Sequence, residues 1–462
     1  MSDCSVRDSS VERLLGLGRR QMSPSSLPEI AAHMVELNHS RLSDLGVSAA
    51  LGWAERSVTI RFTSSGVVGA VPLRSPLTGQ DDLGLLVEPR FTWSGIGPAM
   101  AMSGWRVIPA ILRHAPLPYS ARDVPPWLLA STVLGRVSAM LQALDRRFDM
   151  RSDVLNTPHG QVRWAAYAGR HLARGRPDRI PCRFPYLDDD QGLLAAIHYV
   201  LRRQLVSLGG SASDSAVINE LHGLCQSLLS RVAHIPPRCP TPMQLDQWLR
   251  SPLKTQVITD GVEAMDWTIH ERGLAGQSDL RGLPWSMPME VFWESWVEML
   301  LCRLASRAGG TVQVARRHET TVPVSWDPPY TGSLRSLAPD LIWRRRSHTV
   351  IVDAKYKRHW SDLTRSRWSD MTETVREHHR ADIHQVLAYA HIGESEDVTV
   401  ALAYPCRRSE WMSLATRASV GHTALLSLPH RRVRLILAGL PLEPDLVESA
   451  VEQMHGLLSI GS

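Results

Sequence analysis

Two short apolar runs in the C-terminal third, Asp340–Trp343 and Thr349–Tyr356, flank the polar run Arg344–His348. That pattern predicts an antiparallel β-hairpin with Arg346 and Ser347 at its tip. In this register Asp340 falls opposite Asp353. Longer 3.6-residue periodicity predicts helices elsewhere. Pro125–Phe148 has proline at its start and apolar residues at Leu128, Leu129, Val133, Leu134, Val137, Met140 and Leu141. Further helices are expected at Leu27–Leu37, Gln191–Leu208, Asp214–Val232, Thr241–Leu249, Asp260–Arg272, Met289–Arg307, Asp382–Ile392 and Leu442–Leu457. Ser57–Phe62 alternates like a strand, with Val67–Val71 as its expected partner across a Ser-Ser-Gly turn. Thr311–Arg316, Thr321–Val324, Val398–Ala403 and Val433–Ala438 complete the strands.

The element order predicts an α/β (α+β) protein. A C-terminal mixed sheet flanked by helices is preceded by a helical layer and a smaller N-terminal β-containing module. The segments expected are an N-terminal extension (1–55), an N-terminal β-containing module (56–187), a helical connecting region (188–282) and a C-terminal mixed-sheet domain (283–462).

Composition narrows the class. With 462 residues, 44% of them hydrophobic and 21% charged, the chain can bury more than one core. A formal net charge of +5 permits a nucleic-acid partner without establishing one. The six cysteines show neither CxxC nor Cys/His ligand spacing, which points to reduced thiols in the cytoplasm. No membrane span is expected from the apolar runs, nor a signal-peptide core. The absence of GxxxxGK[ST] means that the chain is not itself a P-loop NTPase.

Two carboxylates facing one another across a β-ladder repel. A hard divalent cation such as Mg²⁺ resolves that conflict, since it is held by one or two carboxylates plus substrate phosphate. Residues i and i+2 share a strand face, so Lys355 points with Asp353 and is placed to meet charge developing on phosphate. An isolated Asp-x-Lys reads as a surface ion pair; the buried strand, the preceding Pro-Asp and the register argue for a site. Lysine is rare here, at Lys254, Lys355 and Lys357 only, while arginine serves elsewhere. That choice favours a compact point charge at Lys355.

Glu290, Glu294 and Glu298 recur at i, i+4 on one helix face, and spacing alone does not choose among them. Asp188, Asp189 and Asp190 read as a helix cap rather than a metal site. The segment 358–381, with Arg358, Arg365, Arg367 and Trp368, reads as a loop able to grip a DNA backbone or to be ordered by a partner. His378 and His379 point in different directions on a helix and are not read as ligands.

Pro339-Asp340, twelve residues, then Asp353-Ala354-Lys355 resembles the PD-(D/E)xK nuclease superfamily. The DAKYK run Asp353–Lys357, the D-x-x-Q-x-x-x-Y run Asp382, Gln385 and Tyr389, and PMEVFWESWVEML upstream resemble the McrC family, the endonuclease subunit of the McrBC 5-methylcytosine restriction system. The resemblance implies a nuclease that uses Mg²⁺, with Mn²⁺ as a substitute, held by Asp340, Asp353 and Glu294. It selects Glu294 because that residue follows the Phe-Trp pair of the family pattern. It also implies that Lys355, Gln385 and Tyr389 line the site. Double-stranded DNA is the implied substrate and a McrB-like AAA+ GTPase or ATPase the implied partner, in a cytoplasmic restriction or anti-phage defence system without a membrane component. The alternatives are a stand-alone repair or recombination nuclease, and a non-cleaving adaptor that stimulates the NTPase.

Overall fold

The computed structural model describes residues 27–458 apart from 55–56, 82, 92, 116, 118–125, 145–148, 187–189, 210–214, 251–254, 271–281, 346–347, 358–359, 361–362, 365, 393–396, 418 and 429–430. Contacts divide the chain into two compact units, residues 1–128 with 273–462, and residues 129–272. These boundaries differ from the four segments read from the sequence.

The first unit begins with helices α1 (Leu27–Leu37) and α2 (His39–Asp44), then strands β1 (Val47–Ala54), β2 (Ser57–Ser64), β3 (Val67–Leu73) and β4 (Leu83–Val87), helix α3 (Trp93–Met102) and strand β5 (Ala110–Ile111). Helix α1 has the bounds its pattern predicts. Strand β2 does not pair with Val67–Val71 as expected. It pairs with β1, from Val47 opposite Ser64 to Ala54 opposite Ser57. Val58, Ile60 and Phe62 of β2 thereby join Leu42, Leu45, Leu73 and Leu85 in one apolar cluster.

The second unit holds most of α4 (Pro126–Leu144), strands β6 (Asp149–Leu155), β7 (Gln161–Val162) and β8 (Ile180–Tyr186), and helices α5 (Gln191–Gly209), α6 (Ser215–Val232), α7 (Pro242–Leu249) and α8 (Gln256–Ile269). Asp190 caps α5 as expected, its Oδ1 accepting from Leu193 N at 3.0 Å. Asp188 and Asp189 lie outside the described residues. Thr241 and Gln244 form a capping box at the start of α7. The expectation of no membrane-length apolar helix needs correction. Among the described residues Trp127–Leu144 of α4 is long and apolar enough to span, with mean hydropathy 1.3, but more than half of that window is buried inside the protein. Val133, Leu134, Val137 and Met140 are sealed core residues there.

The chain then returns to the first unit. Strand β9 (Trp285–Pro288) leads into α9 (Met289–Ala308), followed by β10 (Thr311–Val314), β11 (Val322–Pro323), β12 (Ser336–Leu337), β13 (Leu341–Arg345), β14 (His348–Ala354), α10 (Glu373–Tyr389), β15 (Asp397–Cys406), α11 (Arg408–Ala415), β16 (Gly421–Leu428), β17 (Arg431–Pro441) and α12 (Val447–Leu458). Six of these strands form one sheet in the order β10-β13-β14-β15-β17-β16. Its centre is parallel (β14-β15-β17) and its margins antiparallel. Every residue of β14 after His348, and of β15 after Asp397, is buried. Strands buried along their whole length are covered on both faces.

Two details position the site. The β13–β14 register, with Leu341 opposite Val352 and Arg345 opposite His348, sets Asp340 opposite Asp353 as the sequence predicts. The tip residues Arg346 and Ser347 lie outside the described residues. Strand β9, immediately before α9, is the neighbour of β3 in the four-stranded sheet β4-β3-β9-β5. A Cβ on Gly69 would come within 2.2 Å of the Trp285 carbonyl, so this close pairing requires glycine. Met289 N then donates to Gly66 O at 2.9 Å, which fixes the start of α9. Residues nearly 220 apart in sequence therefore share one ladder, and the N-terminal strands belong with the C-terminal sheet.

Candidate active site

Asp353 is the last but one residue of β14 and is 1% exposed. Asp340 ends the turn before β13, and its Oδ2 accepts from Ala354 N at 2.7 Å. That bond holds its carboxyl against the end of β14, beside the Asp353 carboxyl. Burial and the neighbouring Asp353 charge push the Asp340 pKa up to about 8, with Glu294 adding to the rise. Burial likewise raises Asp353, against the pull of Lys355.

Lys355 points as strand alternation requires, with Nζ 2.7 Å from Asp353 Oδ2. The contact is ionic rather than a well-directed hydrogen bond, since Asp353 Oδ2 is sealed from solvent and has no hydrogen-bond partner. Burial works against the Lys355 charge, but Asp353, Asp340 and Asp382 outweigh it and raise its pKa. Lys355 Nζ donates to Gln385 Oε1 at 3.0 Å, and Gln385 Nε2 donates to Tyr389 Oη at 2.9 Å. The sequence-expected Lys355, Gln385 and Tyr389 are thus one connected chain ending on the acid pair.

Glu294 projects from α9 toward the same acids. Burial raises its pKa, then the charges of Glu290 and Asp353, with Lys355 easing the effect. Glu298, one turn on, faces a different environment. It is 1% exposed and bound by Arg316 Nε at 2.7 Å and Nη2 at 2.6 Å, by Arg106 Nη1 at 2.7 Å and by Arg317 Nη2 at 3.7 Å. Glu290 is exposed at the rim. Among the three acids of the helical stripe, the structure therefore couples Glu294 to the Asp340–Asp353 pair and ties Glu298 elsewhere.

Among the described residues no three His, Cys, Asp or Glu side chains converge as a set that could hold a metal ion. The acids form an abutting pair, with Glu294 acting on it through charge. The pair itself fits a hard divalent cation. Its donors are carboxylate oxygens, one of them buried without a hydrogen bond, and such an ion needs as few as one or two carboxylates beside substrate phosphate.

Sequence reasoning passed over Lys357 and Asp382 as site residues. Lys357 Nζ donates to Asp382 Oδ1 at 2.6 Å, and Asp382 is 3% exposed. One signal was present: Lys357 is another of the rare lysines. The segment 358–381, expected as a loop, is helical from Glu373, with Thr372 at the N-cap position. His379, set aside in the sequence, is buried there with Nδ1 3.5 Å from Tyr404 Oη, and burial lowers its pKa. Arg367 and Trp368 lie exposed before this helix, and Arg358 and Arg365 are outside the described residues.

Comparison with known proteins gives one family and one assembly. Residues 127–405, more than half of the chain, match the family model described as McrBC 5-methylcytosine restriction system component. No curated protein matches the sequence. Among solved structures, a half-complex from a tetradecameric assembly of Thermococcus gammatolerans McrB AAA+ hexamers with bound McrC is similar at 10% identity and a TM-score of 0.39, covering 95% of this chain and 97% of that one. A cryo-EM structure of the Thermococcus gammatolerans McrBC complex is similar at 12% identity and a TM-score of 0.26, covering 62% and 83%.

Proposed function

Because the chain belongs to the McrBC 5-methylcytosine restriction system component family, we propose that it is the DNA-cutting subunit of such a system, a Mg²⁺-dependent endonuclease governed by an AAA+ NTPase partner inside the cell. The observation that carries this reading is the abutment of Asp340 and Asp353 at a buried strand end, with the Lys355 ammonium beside them. A protein that only scaffolded a partner would have no use for two crowded acids whose charges oppose each other.

Asp340 and Asp353 would hold the ion, with Glu294 adding negative charge nearby. The chemistry that bound Mg²⁺ supplies is Lewis-acid polarisation of the phosphodiester. The protein's own part is electrostatic and positional. Lys355, tethered to Gln385, presents a fixed positive charge to a phosphate lying over the acids, where charge builds as the bond to the leaving oxygen breaks. Tyr389 holds Gln385 in turn, so the ammonium is aimed before substrate arrives. Burial of the strand end keeps these charges in a medium where they act strongly.

Plasmid cleavage with Mg²⁺, with and without the NTPase encoded beside this chain and its nucleotide, on methylated and unmethylated DNA, tests the proposal. Cutting that needs the partner and is lost in Asp353→Ala supports it. Partner-independent cutting points instead to a repair or recombination nuclease. Equal NTPase stimulation by both forms with no cutting by either points to an adaptor.

A further inference from the structure

Lys355 and Lys357 stand two residues apart on either side of Tyr356, and the Lys357 N–H donates to the Lys355 carbonyl at 2.8 Å. Tyr356 is buried on the opposite side, beneath the Arg90 guanidinium 4.5 Å from its ring and beside Phe91. Both ammonium groups are therefore presented together to helix α10. That helix answers with two acceptors at i and i+3, which share a face. Asp382 takes Lys357 at 2.6 Å, and Gln385 takes Lys355 at 3.0 Å. The other oxygen of Asp382 accepts from Tyr404 Oη at 3.4 Å, so the carboxylate is held from strand β15 as well.

The pair is not a surface decoration, because the Asp382 side chain is 5% exposed. Nor is stability a sufficient reason for it, since a buried ion pair rarely outperforms apolar residues of the same volume. What it fixes is distance. It sets the height of α10 over the end of β14, one helical turn from the residue that holds the Lys355 ammonium. The residue type agrees: in a chain with three lysines, the two described ones are these. An ammonium meets a single carboxylate oxygen where a guanidinium would bring a broader fork.

We propose that Lys357 and Asp382 are a positioning pair that registers helix α10 against the catalytic strand, so that Gln385 holds Lys355 over the acids. This rests on the nuclease reading above and assigns neither residue a contact with DNA.

The test is a double-mutant cycle on the full-length chain, with the partner NTPase supplied. Lys357→Met/Asp382→Asn removes both charges and leaves no lone buried ion. Single-turnover plasmid cleavage in Mg²⁺ should slow by between roughly 10- and 100-fold, with the dissociation constant for a DNA duplex in Ca²⁺ unchanged. Combined with Gln385→Ala, the pair variant should cut no more slowly than Gln385→Ala alone, because both act through one ammonium. A merely structural pair would instead multiply with Gln385→Ala. If the double variant fails to fold, Lys357→Arg keeps the charge while putting a longer planar head on Asp382, and the same two readouts decide. Cleavage within about twofold of wild type, or multiplicative slowing, overturns the inference. A wild-type chain that cuts no DNA under these conditions removes the nuclease reading, and this inference with it.

Discussion

Glu294 and Glu298 lie one turn apart on the same helix, about 6 Å along its axis, yet they sit in opposite electrostatic worlds. Around Glu298, three guanidiniums converge on one sealed carboxylate. Around Glu294, carboxylates gather at Asp340, Asp353 and Glu290, with Lys355 as the cation that eases them. The first arrangement is satisfied as it stands. The second is frustrated: its acids hold their protons above the usual range because they are buried together. Proteins tolerate such crowding where something else completes it. The difference marks Glu298 as part of the scaffold and leaves the acid pair as the part of the proposed site that a cation would complete.

Changes at the two places should therefore fail in different ways. The largest effect expected is on chemistry. Asp353→Ala should cut plasmid DNA at least ~1,000-fold more slowly while keeping its melting temperature, as read by gel assay and thermal unfolding. At the other acid the order reverses. Glu298→Gln leaves Arg106, Arg316 and Arg317 without their shared carboxylate, and should cost roughly 1–3 kcal/mol in denaturant unfolding. Equal loss of activity without loss of stability at Glu298 would erase the contrast.

A smaller effect should appear with pH. The folded-state pKa of Asp340, near 8, is above its unfolded value of 3.8. Between these values the native state holds a proton that the unfolded chain releases. Stability of the metal-free protein should therefore fall as pH rises from about 4 to about 8. Asp340→Asn should flatten that fall and stabilise the protein at pH 8 by roughly 1–3 kcal/mol, whereas Glu298→Gln should destabilise it at the same pH. Urea unfolding across the pH range measures both.

The hairpin was legible in the sequence because side-chain alternation and a two-residue tip leave one register, and that register alone sets Asp340 against Asp353. The buried strands and most long helices were legible for the same reason: their periodicity is local. What the sequence hid is nonlocal or weakly patterned. Nothing near Val67 announces that its partner is Pro288, nor does anything near Arg106 point to Glu298. The first half of α10, ETVREHHRA, carries almost no apolar stripe, so periodicity predicts a start at Asp382, nine residues after the actual start at Glu373. Strand β16 was missed because most of its side chains, including Leu425, face outward on the sheet edge. The choice of Glu294 over Glu298 was likewise beyond spacing, since both lie on the same stripe. It is made by arginines that arrive from distant segments.

The most direct measurement is calorimetric titration of the metal-stripped full-length protein with Mn²⁺ or Mg²⁺ at pH 8, beside Asp340→Asn/Asp353→Asn and Glu298→Gln held under folding conditions. The account predicts saturable binding with proton release in the wild type and in Glu298→Gln, and none in the double aspartate variant. Binding that survives loss of both aspartates, or a wild type that takes up no ion, would contradict it.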